Sequence, residues 1–245
     1  MAIQHNSPVP LYLQIKEYLR LQINDGVFPI GSRLPSEREL AQRFQVSRMT
    51  ARQALRSLGH EGFADSSAGK GTYVRLPKID RQLRSLTSFS QEMQQRGLAQ
   101  SSRVLKAEVA VADYQVAKVL QIPYASEIVT LSRIRLADGT PLSVEHAHLV
   151  HDLCRGILEK HDFTQESLYR VLREEYGWML VWADQTIEAR LPLRTESKLL
   201  GIDTHMPVLS MNRITFTHKD TPIEYVRSTY RGDRYQLHAV LRSSN

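Results

Sequence analysis

Arg133 and Arg135 stand two positions apart in a segment that reads as the first strand of a hairpin, so both side chains project from one face. If the turn that follows is the three residues Asp138-Gly139-Thr140, Arg133 lies opposite Glu145 and Arg135 opposite Ser143. A two-residue loop instead carries Glu145 to the other face. Two guanidiniums beside a carboxylate suit an anion that also bears hydroxyls: the planar forks hold a phosphate, and the carboxylate accepts from a sugar. The competing reading is a cross-strand salt bridge on a solvated face.

A second set of arginines, Arg48, Arg52 and Arg56, lines one face of a short helix near the N-terminus. Arg48 falls in its first turn, where a planar fork can bond guanine O6 and N7 together in a major groove. Arg38, at the start of the preceding helix, can approach the same groove or a phosphate. A surface ion pair is the alternative for each. Two other chemistries are weaker. His146, His148 and His151 invite a metal, but the third must come from a following loop and nothing completes a tetrahedron. Cys154 sits in a polar turn without an activating base.

The elements that must position these residues are legible nearby. A first helix is expected from about Pro10 to Asn24, with Ile15, Leu19 and Ile23 on one face and Gly26 to stop it. Pro29, Gly31 and Pro35 then break the chain. Ser36-Glu37-Arg38-Glu39 is a capping box that opens a second helix burying Leu40 and Phe44. Ser47 is the N-cap of a third, whose apolar face is Ala51, Ala54, Leu55 and Leu58. The segment from Phe63 to Val74 reads as a hairpin tipped by Gly69-Lys70-Gly71, in which glycines allow close backbone approach to DNA and Lys70 meets a phosphate. Together these describe a winged helix-turn-helix.

The charge distribution agrees. Residues 1–79 hold 11 Lys and Arg against 6 Asp and Glu, whereas residues 80–245 hold 21 against 20. A basic excess confined to one small domain is the footprint of a phosphate-neutralising module. The full 245 residues fit that module plus a larger domain. The expected division is a DNA-binding domain over 1–76, a linker over 77–84 and an effector-binding, dimerising domain over 85–245. With one cysteine, no secretory pattern at the N-terminus and no apolar run of membrane-spanning length, a cytoplasmic protein without disulfide, cofactor or membrane partner is expected.

The larger domain repeats itself. Glu108, Lys118-Val119-Leu120-Gln121-Ile122 and Arg133-Ile134 return eighty positions later as Glu188, Lys198-Leu199-Leu200-Gly201-Ile202 and Arg213-Ile214, while Thr140-Pro141 recurs eighty-one later as Thr221-Pro222. Each copy reads as a strand, a short helix and a β-hairpin. The expected class is therefore α+β, two related halves around one mainly antiparallel sheet, with a ligand cleft between them. Helix starts at Thr87-Ser88-Phe89-Ser90 and Thr164 to Tyr169 offer further amides and hydroxyls to an anion, although capping alone explains Ser and Thr there. Arg231-Gly232-Asp233 reads as a sheet-edge turn.

Pro35-Ser36-Glu37-Arg38-Glu39-Leu40, Val46 to Leu55 and Gly69-Lys70-Gly71-Thr72-Tyr73-Val74 together resemble the GntR superfamily of regulators. The match runs through nearly all of the first domain. One departure is Asp65-Ser66-Ser67-Ala68 where that family carries basic residues before the wing tip. The remainder, from Leu86-Thr87-Ser88-Phe89 onward, resembles the UTRA effector domain of the HutC subfamily, whose fold is similar to chorismate lyase. Ser167-Leu168-Tyr169, Ala183 to Ala189 and Tyr230 to Tyr235 look most like regulators of N-acetylglucosamine and amino-sugar use.

The resemblance implies a regulator, not an enzyme, that binds double-stranded operator DNA as a homodimer and responds to a phosphorylated sugar such as N-acetylglucosamine 6-phosphate or glucosamine 6-phosphate. The DNA-facing set is Ser36, Arg38, Ser47, Arg48, Thr50, Arg52, Gly69, Lys70 and Gly71. Phosphate falls to Ser90, Arg133, Arg135, Ser167 and Tyr169 beside Phe89, and the sugar to Glu145, Glu224 and Tyr230. The alternative is an enzyme that kept a lyase-like phosphosugar pocket and acquired a DNA-binding module.

Overall fold

The computed structural model describes residues 3–5, 7–67, 71–75 and 77–241. The chain divides into two compact units, Met1–Lys78 and Ile79–Asn245. In the first, α1 (Leu11–Asn24), α2 (Glu37–Phe44) and α3 (Arg48–His60) precede an antiparallel hairpin of β1 (Ala64–Ser67) and β2 (Gly71–Val74). The apolar stripes of the helices meet in one core: Ile15, Leu19, Leu40, Ala51, Ala54 and Leu58 are all fully buried. The caps form as expected. Ser36 Oγ accepts from the Glu39 amide while Glu39 accepts from the Ser36 amide at 2.7 Å, and Ser47 Oγ accepts from the Thr50 amide at 3.1 Å. Each such cap contributes about 1 kcal/mol.

The second unit begins with β3 (Ile79–Gln82), so the segment expected to be a linker over 77–84 contains a strand. It is followed by α4 (Phe89–Gln95), β4 (Gln100–Val111), α5 (Tyr114–Leu120), β5 (Glu127–Ala137), β6 (Thr140–Val150), the single-turn α6 (Ile157–Lys160), α7 (Leu168–Glu174), β7 (Leu180–Arg190), α8 (Arg194–Leu200), β8 (Val208–Thr217), β9 (Pro222–Arg231) and β10 (Tyr235–His238). β3 lies parallel to β10 in a two-stranded sheet. The main sheet is six antiparallel strands in the order β4-β5-β6-β9-β8-β7. The repeat is thus β4-α5-β5-β6 followed by β7-α8-β8-β9, joined at the centre through β6 and β9. Even the helix ends correspond: α5 stops at Gln121 and α8 at Gly201, each in the left-handed region.

Strand alternation sorts the sheet into two faces. Ile128, Ile134 and Val144 pack beneath α5 and α8, and Val129, Leu131, Ala147 and Leu149 beneath α6 and α7. Arg133, Arg135 and Glu145 share the parity of this second group.

Candidate functional site

On the first unit, a groove of about 400 Å³ is lined by Arg33, Ser36, Glu37, Arg38, Arg48, Ser66, Gly71 and Thr72. Arg38 and Arg48 are exposed, and no ion pair engages either among the described residues. Arg52 differs: it grips Glu37 with Nε at 2.8 Å and Nη2 at 3.1 Å, a bidentate bridge from α3 to α2. That bridge holds the Glu37 carboxyl below its ordinary value. Ser36 accepts within its capping box, and the Ser47 and Thr50 hydroxyls bond each other at 2.9 Å, so these three residues shape the helix starts. Gly71 has φ +108°. Gly69 and Lys70 lie outside the described residues. Asp65, the acidic departure in the wing, lies 3.5 Å from Arg75, one residue past the paired strand β2, which offsets its charge.

On the second unit, β5 and β6 bring the predicted arginines together. Arg133 pairs with Glu145 and Arg135 with Ser143 across the ladder. The register is the one a three-residue loop predicts, yet the turn is the two residues Asp138 and Gly139, both at positive φ. A β-bulge at Leu142 supplies the missing residue and returns Glu145 to the arginine face. The second hairpin repeats the device with a bulge at Ile223 that sets Glu224 opposite Thr215.

The resulting cavity, about 40 Å³, is lined by Ser88, Phe89, Arg133, Arg135, Glu145, Ser167, Leu168, Tyr169, Glu224 and Val226. Both halves of the sheet contribute, and the starts of α4 and α7 close over it. The helix expected from Thr164 begins at Leu168; Ser167 is its N-cap, and Thr164 sits in a turn held by Asp162. An open groove of about 430 Å³ runs alongside past Ser90, Gln100 and Arg170, and Ser167 lines both spaces.

Arg133 and Arg135 are each only 2% exposed. Nη2 of Arg133 contacts Glu145, and Nη1 of Arg135 lies 3.9 Å from the same oxygen. The ring of Phe89 lies under Arg135 at 4.7 Å, and Nη2 of Arg135 donates to Ser90 at 3.3 Å. Nε and Nη1 of Arg133, Nε of Arg135 and Oγ of Ser143 are buried without a hydrogen-bond partner. Burying unpaired donors is costly, and most buried polar groups avoid it. Burial, reinforced by Arg133, draws the Arg135 guanidinium down to about 10. Burial opposes ionisation of Glu145, but Arg133 and Arg135 outweigh it and hold the carboxyl at about 2. One carboxylate therefore faces two cations.

Across the cavity, Glu224 accepts from Tyr169 and Thr215, each at 2.8 Å. Burial and the nearby Glu145 raise its pKa, and burial with Glu224 raises that of Tyr169. Two expected residues stand elsewhere. Ser90 reaches Arg135 from the neighbouring groove and donates to Gln100. Tyr230 does not line the cavity; its ring carries Arg81 on one face at 5.4 Å and meets Tyr235 edge-on. Sequence reasoning gave no site role to Ser143, named only as lying opposite Arg135, to Arg213, whose Nη1 donates to the Tyr169 hydroxyl at 3.5 Å, or to Thr215. The repeat could have found the last two, since they stand eighty positions after Arg133 and Arg135.

The three histidines do not converge. His146 bonds Ser132 at 2.9 Å, His148 bonds Thr130 at 3.3 Å, and His151 lies 3.1 Å from Glu127. Cys154 is buried, and burial pushes its thiol up to about 12. Among the described residues no helix is long and apolar enough to cross a membrane.

Comparison with known proteins adds to the geometry. Residues 11–74 match the family described as bacterial regulatory proteins, gntR family, and residues 95–236 match the UTRA domain. The HTH-type transcriptional repressor NagR of Bacillus subtilis is 37% identical over 235 residues, 96% of each chain. The HTH-type transcriptional repressor PhnF of Mycolicibacterium smegmatis is 34% identical over 216 residues, 88% of this chain and 87% of that one. The crystal structure of PhnF from Mycobacterium smegmatis superimposes with a TM-score of 0.73 at 32% identity, covering 94% of this chain and all of that one.

Proposed function

Because the chain belongs to the GntR family of bacterial regulatory proteins and carries a UTRA domain, it is a DNA-binding transcription regulator, and we propose that it represses sugar or amino-sugar utilisation genes until a phosphorylated sugar releases it. The carrying observation is the buried pair Arg133 and Arg135, which line one cavity with a single ionised carboxylate and retain N–H groups without a partner. A phosphate meets those donors and neutralises the excess positive charge, while Glu145 and Glu224 face the hydroxyls; Tyr169, expected with the phosphate, donates to Glu224 and is moved to the sugar side. N-acetylglucosamine 6-phosphate and glucosamine 6-phosphate fit this chemistry, and the similarity to the transcriptional repressor NagR supports repression.

A cavity of about 40 Å³ has room for roughly one water molecule. Ligand entry therefore displaces the helix starts that close it. Phe89 opens α4, and three residues on, Glu92 is buried against Arg81 of β3 at 3.7 Å. Movement at the cavity is thereby passed to the first strand after residue 78. A single winged helix reads few base pairs, so a homodimer on a pseudo-palindromic operator supplies selectivity. Linkage then requires that DNA weaken the sugar phosphate by the factor with which the sugar phosphate weakens DNA.

The test is a thermal-shift screen of both sugar phosphates, the unphosphorylated sugars and inorganic phosphate, followed by operator binding with each hit. Stabilisation by a sugar phosphate with loss of operator affinity supports the reading. No stabilisation, or operator affinity unchanged at saturation, overturns it.

A further inference from the structure

Gly71 invites explanation as a place where the wing's backbone approaches DNA, but the structure gives it a different neighbour. A Cβ at position 71 would stand 2.7 Å from Nε of Arg33 and 3.3 Å from its Cζ and Nη2. The guanidinium of Arg33 lies across the wing strand over Gly71, so an alanine there would push it aside in addition to straining a backbone at φ +108°. Its backbone is firmly held: Leu34 N donates to Thr72 O and Val74 N to Ser32 O, both at 2.8 Å, and Arg33 forms an antiparallel bridge with Tyr73. Leu34 is buried at 2% exposure, so strand alternation turns Arg33 outward into the groove that holds Arg38 and Arg48.

The carboxylates nearby are committed. Glu37 is bound by Arg52, and Glu39 accepts from the Ser36 amide. Arg33, Arg38 and Arg48 form no salt bridge among the described residues; Glu37 and Glu39 lie within electrostatic reach of Arg48 and Arg33, but three arginines against one groove-lining carboxylate still leave a net positive surface suited to a polyanion.

From this we propose that Arg33 is a DNA-backbone contact, seated on Gly71 and gripping a phosphate beside the groove read by Arg48. It rides on the wing's sheet and not on the recognition helix, so it adds affinity without choosing sequence. Gly71 serves it by leaving the guanidinium its seat. The inference rests on the DNA-binding function but not on the proposed sugar phosphate.

The experiment uses the full chain and two duplexes: a random-sequence pool, and a single duplex selected from that pool by the wild-type protein. R33M should weaken both by a similar factor and reduce the slope of log affinity against log salt by roughly 1. R33K should keep the slope, which separates lost charge from lost packing. G71A should weaken both duplexes in the wild-type background, and more than it does in R33M, because in R33M no guanidinium is left to displace. Circular dichroism confirms that each variant is folded. An unchanged salt slope in R33M, or a loss confined to the selected duplex, overturns the proposal. So does equal cost of G71A in both backgrounds.

Discussion

Arg133 stands directly opposite Glu145 across the β5–β6 ladder, and the two side chains are in contact where Arg133 is almost wholly shielded from water. The folded value of Glu145, about 2, lies below the unfolded carboxylate value of roughly 4.3. Its ionised form therefore contributes stability that is complete above the unfolded value and lost as pH falls through about 2. E145Q should be destabilised at pH 7, and its deficit relative to wild type should shrink as pH falls from about 5 toward 2, by about 2–3 kcal/mol in urea unfolding. A deficit independent of pH would refute the assignment.

The buried Nε of Arg135 lacks a partner, which costs folding free energy, and the proposed ligand would supply that partner. R135M keeps the Arg133–Glu145 contact and substitutes an apolar chain of similar reach. The ligand-free protein should gain about 1–3 kcal/mol, seen as a higher Tm, and lose its stabilisation by sugar phosphates. A lower Tm with the ligand response intact would contradict this.

Arg81 and Glu92, both nearly buried, tie β3 to α4. R81M should leave the sugar-phosphate thermal shift in place while abolishing the ligand's effect on operator affinity. Loss of both responses would assign Arg81 to the cavity itself.

Arg48 and Arg52 share a helix face but differ in surroundings: Arg52 is bound to Glu37, whereas Arg48 is exposed without an ion pair among the described residues. R48A should relax selectivity at one base pair, a discrimination of about 1–3 kcal/mol in competition binding. R52A acts by freeing Glu37, so adding E37Q should recover much of its loss in affinity. If R52A instead shifted base preference, it would rank with Arg48 as a reader.

Cys154 is buried, its thiol is pushed up to about 12, and it contacts Val150 O at 3.4 Å. At pH 8 a disulfide reagent should modify it only as fast as the domain opens, and mild urea should accelerate the reaction. Prompt modification in buffer alone would show the site to be open.

Local physics made much of this protein legible in one dimension. The capping box at Ser36, the cap at Ser47 and the stripes of α1 and α3 depend on neighbours within four residues, so residue order alone determined them. The repeat also determined the two-halved sheet, because equal patterns eighty positions apart fold alike. Tertiary structure decided what depends on contacts across long separations. Whether Glu145 faced the arginines hung on a bulge at Leu142 that no local signal marks. Glu37 captured Arg52 but not Arg48, Tyr230 turned to Arg81 and away from the cavity, and Gly71 made room for Arg33. A side chain's partner is set by the geometry of whole elements once packed, and its residue type specifies only which partners are chemically possible.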